Sequence, residues 1–294
     1  MERGTTVAPR AQPFFLPAAG GQRFCLYHPP AGDCRGALLY LHPFGDEMNK
    51  ARRMAALQAR AVAARGYGVL QIDLHGCGDS SGEFGDATWD SWKADVTLGC
   101  AWLKDKLGQP VGLWGLRLGA LLALDHARTA AETPARLLLW QPVTGGAAFL
   151  TQILRLRVAN EMFGDKDDTR DGAKEKSGGT KALREALRGG EALEVAGYDI
   201  TPSMADSLDA LDASKMIVTG CPVDWIEVVA APERPLSVAG ARLADAWRTA
   251  GVALHVELVA CLPFWATQEI SECPPMIAAT SARLASPFPC EVSV

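Results

Sequence analysis

Gly115, Leu116, Arg117, Leu118 and Gly119 place a guanidinium at the centre of a G-x-R-x-G run. The strand-like segment Val111 to Trp114 leads into it, and an apolar stretch of helical character, Leu118 to Arg128, follows it. A strand that passes directly into a helix makes a sharp turn, and glycines two residues to either side remove side chains that would clash there. The residue at the tip stands over the helix N-terminus, where free N–H groups and the macrodipole favour negative charge. A cation at that point calls for an anion. Two answers are open. One is an external carboxylate, phosphate or sulfated group, held by Arg117 together with the N–H of Leu118. The other is an internal carboxylate, with Glu233, Asp46 and Glu47 the candidates by chain order. Arginine, with a pKa above about 12, is neither a nucleophile nor a base at neutral pH.

Other chemistry-bearing residues are few. His42 and His75 end adjacent strand patterns, at the edge where open α/β sheets bind ligands, so either could contact a ligand without acting as a catalytic base. His126 falls on the helix after Arg117 and His255 within a strand. Cys77 sits in the turn His75-Gly76-Cys77-Gly78, as a small residue or as a replacement nucleophile with no base assignable beside it. The eight cysteines, Cys25, Cys34, Cys77, Cys100, Cys221, Cys261, Cys273 and Cys290, form no C-x-x-C pair and no zinc-ligand spacing. They read as reduced thiols, mostly small core residues, in a cytoplasmic protein. The turn at Cys77 lacks the third glycine and helix of a dinucleotide loop, and there is no P-loop. No cofactor and no metal are expected.

The elements that must position Arg117 follow from the apolar pattern. Strand-length runs at Gly36 to His42, Val69 to Leu74, Val111 to Trp114, Arg136 to Trp140, Trp225 to Ala230 and Val252 to Val259 alternate with helical segments. Those helices are Met48 to Arg65, Trp89 to Leu107, Leu118 to Arg128 and Ser237 to Thr249, with a last one within Thr267 to Ala285, where Pro274 and Pro275 interrupt or delay it. The pattern predicts an α/β fold, a mostly parallel doubly wound sheet with helices on both faces. Regularity stops near Gly145. Residues 145–212 carry no strand candidate and include a highly charged stretch at 164–190, either a solvated, mobile face or a lid. The parse is a core of residues 1–144 and 213–294 with a helical cap at 145–212.

Composition narrows the partners. The 294 residues are 48% hydrophobic and 21% charged with a net charge of −5, which supplies no basic footprint for nucleic acid or anionic lipid. No apolar run is long enough for a signal peptide near residue 20 or for a membrane span later. A small-molecule ligand or a protein partner remains. Oligomeric state is not readable.

The Gly115 to Gly119 run resembles the nucleophile elbow of the α/β-hydrolases, with arginine where that superfamily carries serine. His42, Pro43, Phe44 and Gly45 resemble the start of its oxyanion loop, the Gly-rich turn at Asp73 to Ser80 follows the next strand, and the insertion falls where the superfamily commonly carries its cap. Trp114 to Leu124, Leu139 to Val143, Phe149 to Met162 and Pro263 to Ile270 are similar to one subgroup, the exosortase A system-associated hydrolase 2 family. That resemblance implies an α/β-hydrolase fold with a helical cap, in a bacterial exosortase and exopolysaccharide setting, and a hydrolase of ester or acyl substrates. It also implies an oxyanion or anion site at His42, Phe44, Arg117 and Leu118, an acid near Glu233, and a histidine past Val259. There the chain reads Cys261, Leu262, Pro263, Phe264, Trp265, with Phe264 and Trp265 as pocket walls beside His75. Two functions stay open: a hydrolase, including one whose arginine stabilises an oxyanion while another group delivers water, and an inactive homologue that binds an anionic ligand or a protein partner.

Overall fold

Eight strands form one sheet in the order β1-β2-β4-β3-β5-β6-β9-β10, in a computed structural model that describes residues 9–164, 179–285 and 288. β1 (Gln12–Ala18) and β2 (Gly21–His28) are an antiparallel hairpin, and β2 runs antiparallel to β4 (Tyr67–Ile72). From β4 onward the pairing is parallel, through β3 (Gly36–Leu41), β5 (Val111–Leu116), β6 (Leu137–Trp140), β9 (Val223–Val229) and β10 (Leu254–Ala260). β3 is buried along its whole length, as a strand covered on both faces must be.

Helices cover both faces. α1 (Asp46–Ala63) and α8 (Pro274–Arg283) pack on one, where Met54, Trp114, Trp140 and Met276 share a core. α2 (Trp89–Leu107), α3 (Leu118–Thr129) and α7 (Val238–Thr249) contribute to the core on the other, with Val96, Leu121 and Trp247. Sequence determinants of the boundaries are visible. Thr88 caps α2 by accepting from Ser91 N, and Gly108 ends it in the left-handed conformation. Ser237 caps α7. Pro274 and Pro275 stand in the first turn of α8, where a missing N–H does no harm, so they delay the helix rather than break it.

Between β6 and β9 the chain leaves the sheet as α4 (Gly146–Gly164), α5 (Gly179–Arg188), the hairpin β7 (Leu193–Val195) and β8 (Tyr198–Ile200), and α6 (Pro202–Ala210). A bridge between Gly145 and Asp212 joins the two ends of this excursion. The small hairpin departs from the strandless expectation. Its three-residue strands are too short to leave a periodic signal, and Gly197 supplies the turn. Most of the charged stretch, residues 165–178, lies outside the described residues. The β1–β2 hairpin also went unassigned from sequence, because β1 is largely exposed and its apolar alternation is interrupted by Pro13 and Pro17.

One cysteine expectation is corrected. Cys261, just after β10, and Cys273, the residue before α8, are joined in a disulfide with Cα atoms 5.7 Å apart. The chain loops back to bring together residues whose spacing resembles no motif. Cys25, Cys34, Cys77, Cys100 and Cys221 are free thiols, and Cys290 lies outside the described residues. The bridge closes the loop that carries Phe264 and Trp265. Peptide mapping without reductant is expected to recover the Cys261–Cys273 cross-link, and Cys273→Ala to lower unfolding stability by roughly 2–3 kcal/mol, as a loop of this size predicts. A map with both thiols free contradicts the assignment.

Candidate functional site

β5 enters α3 through a turn in which Arg117 has φ 56° and ψ −116°, a conformation that side-chain-bearing residues rarely adopt and that is disfavoured by about 1–3 kcal/mol. Neighbouring backbone holds it there. Arg117 N donates to Trp140 O at 2.9 Å, and Arg117 O accepts from Ala120 N at 3.1 Å and Val143 N at 3.4 Å. The two glycines make the turn possible by close approach. A Cβ on Gly115 would lie 2.4 Å from Gly119 O, and one on Gly119 would lie 2.2 Å from Leu41 O and 2.5 Å from His42 O. The tip residue is thus fixed between β3, β5 and β6, above the first amide groups of α3. Leu118 N–H and Phe44 N–H meet no acceptor among the described residues.

The guanidinium lies between two aromatic rings, 5.8 Å from the ring centre of Phe149 on α4 and 5.7 Å from that of Trp265 in the disulfide-closed loop. Its Nε donates to Glu47 Oε1 at 3.3 Å. The internal carboxylate is therefore Glu47, in the first turn of α1. Asp46 pairs with Lys50 instead. Both partners are mostly buried, with side chains 13% and 17% exposed. Burial pushes the Glu47 carboxyl above its ordinary range despite the Arg117 charge and hydrogen bond, so here desolvation outweighs attraction. Glu47 Oε2 is buried without a hydrogen-bond partner. The terminal nitrogens of Arg117 also make no hydrogen bond to a described residue, which leaves one edge of the guanidinium fork open.

A second buried carboxylate was not anticipated. Glu227, on β9, accepts from Trp225 Nε1 at 2.7 Å and from Gln141 Nε2 at 3.0 Å, while Gln141 Oε1 accepts from Val228 N at 2.7 Å. Burial raises its pKa, opposed by those hydrogen bonds and by the charge of Arg117. A glutamate inside an apolar strand was the sequence signal, since alternation places Trp225 and Glu227 on the same face. Phe149 carried no such signal, because an aromatic on a helix reads as core.

The remaining expected residues divide. Glu233 is exposed in the turn after β9 and has no hydrogen bond or ion pair among the described residues, whereas Glu227 on the strand itself is buried. His42 is buried, and both ring nitrogens meet backbone groups: Nε2 accepts from Leu74 N at 3.2 Å and Nδ1 faces Pro43 O at 2.8 Å. Burial lowers its pKa, and a neutral ring protonated on Nδ1 satisfies both contacts. These contacts fix the loop, and the residue also lines the two pockets beside it. Phe44 packs edge-on against Phe84, Trp92 and Phe149. His75 is directed the other way, its ring beneath Gly20 and Gly82 near the β1–β2 hairpin, so it is not in the Arg117 group. Phe264 is fully buried against Trp140, and Trp265 alone of the two reaches Arg117. Cys77 is buried and its thiol pushed up by desolvation, the reverse of an activated nucleophile.

The insertion supplies part of the enclosure. Besides Phe149 from α4, Tyr198 from β8 covers Gly45, accepts from Asn49 Nδ2 at 3.1 Å and packs on Phe84. The site is a cation on a strained turn at the carboxyl edge of a parallel sheet, with two helix N-termini converging on it. Among the described residues no cluster of histidine, cysteine or acidic side chains could hold a metal ion, and no helix is long and apolar enough to cross a membrane.

Strand order, crossovers and the strand-to-helix elbow together define the α/β-hydrolase fold. Solved structures with the same arrangement include Est1E from Butyrivibrio proteoclasticus with bound ferulic acid, with a TM-score of 0.66 at 15% identity over 92% of this chain and 97% of that one. Brefeldin A esterase, a bacterial homologue of human hormone sensitive lipase, aligns with a TM-score of 0.59 at 18% identity over 97% and 78%. An α/β serine hydrolase without a lid from Xanthomonas campestris gives 0.53 at 13% over 95% and 97%. Human Protein ABHD12B is 29% identical over 115 residues, covering 39% of this chain, and the match spans less than a third of that protein's length, at 30%. No family model matches the chain.

The elbow packing has a direct test. Gly119→Ala is expected to lower unfolding stability by about 3 kcal/mol or more in urea titrations, because its Cβ meets β3 backbone that cannot yield. Gly145→Ala, whose Cβ would find its nearest neighbour at 4.0 Å, is expected to unfold like the wild type.

Proposed function

We propose that this chain is an α/β-hydrolase-fold protein that binds a small anionic ligand at its elbow and does not carry out acyl transfer from that position. The observation that carries the reading is Arg117 itself: a permanent cation occupies the strained turn, flanked by the N–H groups of Leu118 and Phe44 and braced between Phe149 and Trp265. Arginine cannot form an acyl intermediate, and Trp265 lies in the loop after β10 where the resemblance called for a histidine. The open edge of the guanidinium matches a carboxylate, phosphate or sulfate. By the resemblance to exosortase A system-associated hydrolase 2, the ligand belongs with bacterial exosortase and exopolysaccharide systems. Residues 145–212 act as the cap over the site.

A second reading rests on Glu47. Its partner-free Oε2 and raised pKa suit a general base that delivers water to an ester while Arg117 holds the developing oxyanion. In the anion-binding reading the same group sets the pH response. As pH rises through the raised Glu47 pKa the carboxylate forms and competes for Arg117, so affinity for an anion falls; as pH drops, the protonated carboxyl leaves the guanidinium to the ligand.

Thermal-shift titration with sulfate, whose charge is the same at both pH values, is expected to stabilise the wild type more at pH 5 than at pH 8. Glu47→Gln should remove that pH dependence, and Arg117→Ala the stabilisation. Equal shifts in wild type and Arg117→Ala contradict the proposal. Short-chain nitrophenyl esters are expected to show no turnover by the wild type. Turnover that disappears in both Arg117→Ala and Glu47→Gln selects the second reading.

A further inference from the structure

A separate cavity of about 160 Å³ lies beneath α1, on the sheet face opposite α3, and its lining includes none of Arg117, Glu47 and Trp265. The strand registers pair Leu26 with Gln71 and Gln71 with Tyr40, so three side chains of neighbouring strands form one row on the face that α1 covers. Above that row α1 presents alanines, among them Ala56, where larger side chains would fill the space. The volume is on the scale of the ~150 Å³ apolar cavity that admits benzene in an engineered protein.

Its polar groups are specific. Tyr40 is 4% exposed, its ring is packed on Trp114, and its hydroxyl lines the cavity with no hydrogen-bond partner among the described residues. The hydroxyl is not sealed from solvent, so a ligand that bonds it takes the place of water there. Burial pushes the Tyr40 pKa up, so the group stays protonated and can donate. At one end Arg52 Nη2 donates to Asp73 Oδ2 at 2.9 Å, a mutually neutralised pair. Gln71 Oε1 is engaged with His28 Nε2 at 3.0 Å. A carboxylate ligand would meet Asp73 and an ammonium would meet Arg52, so the lining selects a neutral molecule.

The geometry points to a second binding site here, for a small neutral compound with one hydroxyl on an apolar ring, of the phenol class, its hydroxyl bonded to Tyr40 and its ring in the space under Ala56. Its lining holds none of Arg117, Glu47 and Trp265 and shares only His42 with the loop that carries the Phe44 N–H.

Calorimetric titration of the full chain with phenol and with benzene tests it. The wild type is expected to bind phenol saturably at one site. Tyr40→Phe should weaken phenol about fivefold, the effect of one hydrogen bond, and leave benzene unchanged. Ala56→Leu should abolish both, and Arg117→Ala should change neither. Thermal unfolding without ligand verifies that each variant folds, with Ala56→Val standing in if Ala56→Leu does not. Absence of saturable phenol binding to the wild type overturns the proposal, as do equal phenol affinities of wild type and Tyr40→Phe. Loss of binding in Arg117→Ala also overturns it, by moving the site to the elbow.

Discussion

The left-handed backbone of Arg117 is the constraint from which the rest of the site follows. A side chain at φ 56° is tolerated because β6 accepts its N–H, α3 and the Val143 amide donate to its carbonyl, and Gly115 and Gly119 let the surrounding backbone close to within contact. Those contacts fix the direction of the side chain. In this fold the tip of the elbow has one place to point, toward the carboxyl edge of the sheet and over the start of α3. Sequence therefore decides only which chemical group stands there, and this sequence puts a guanidinium.

A cation in that position is opposed by two helix N-termini and by loss of water. The structure offsets this in two ways: aromatic faces from α4 and from the loop after β10, and a carboxylate from α1. Glu47 is itself raised in pKa by burial, so its attraction to Arg117 does not recover the full penalty of removing both charges from water. The aromatic contacts come from elements far apart in the chain, one on the excursion between β6 and β9 and one closed by the Cys261–Cys273 bridge. Both must fold into place before the cation is braced.

Much of this was legible in sequence, for physical reasons. β3 and β5, buried on both faces, read as continuous apolar runs, and the elbow glycines are required by atoms two residues away in the chain. Trp89–Leu107 was recoverable to the residue, because Thr88 and Gly108 mark its ends through local hydrogen bonding and backbone conformation. Long-range contacts left no such trace. Glu47 and Glu233 were indistinguishable as partners for Arg117, since only tertiary packing buries the first and exposes the second. Gln141 and Phe149 needed the fold to acquire a role, and the disulfide needed the return of the chain from β10 to α8. The esterase and hydrolase structures that align with this chain share its frame, and at 13–18% identity they establish the frame alone.

In the reading proposed above, the Arg117 guanidinium receives an anion. The sharpest check is the Nε–H resonance of Arg117 in nitrogen-15 correlation spectra, assigned by its loss in Arg117→Lys and followed during titration with sulfate and other anions of fixed charge at pH 5 and pH 8. A saturable shift of that resonance, tighter at pH 5, is the predicted result. A resonance that stays fixed while the anions saturate, or that responds identically at both pH values, contradicts the account.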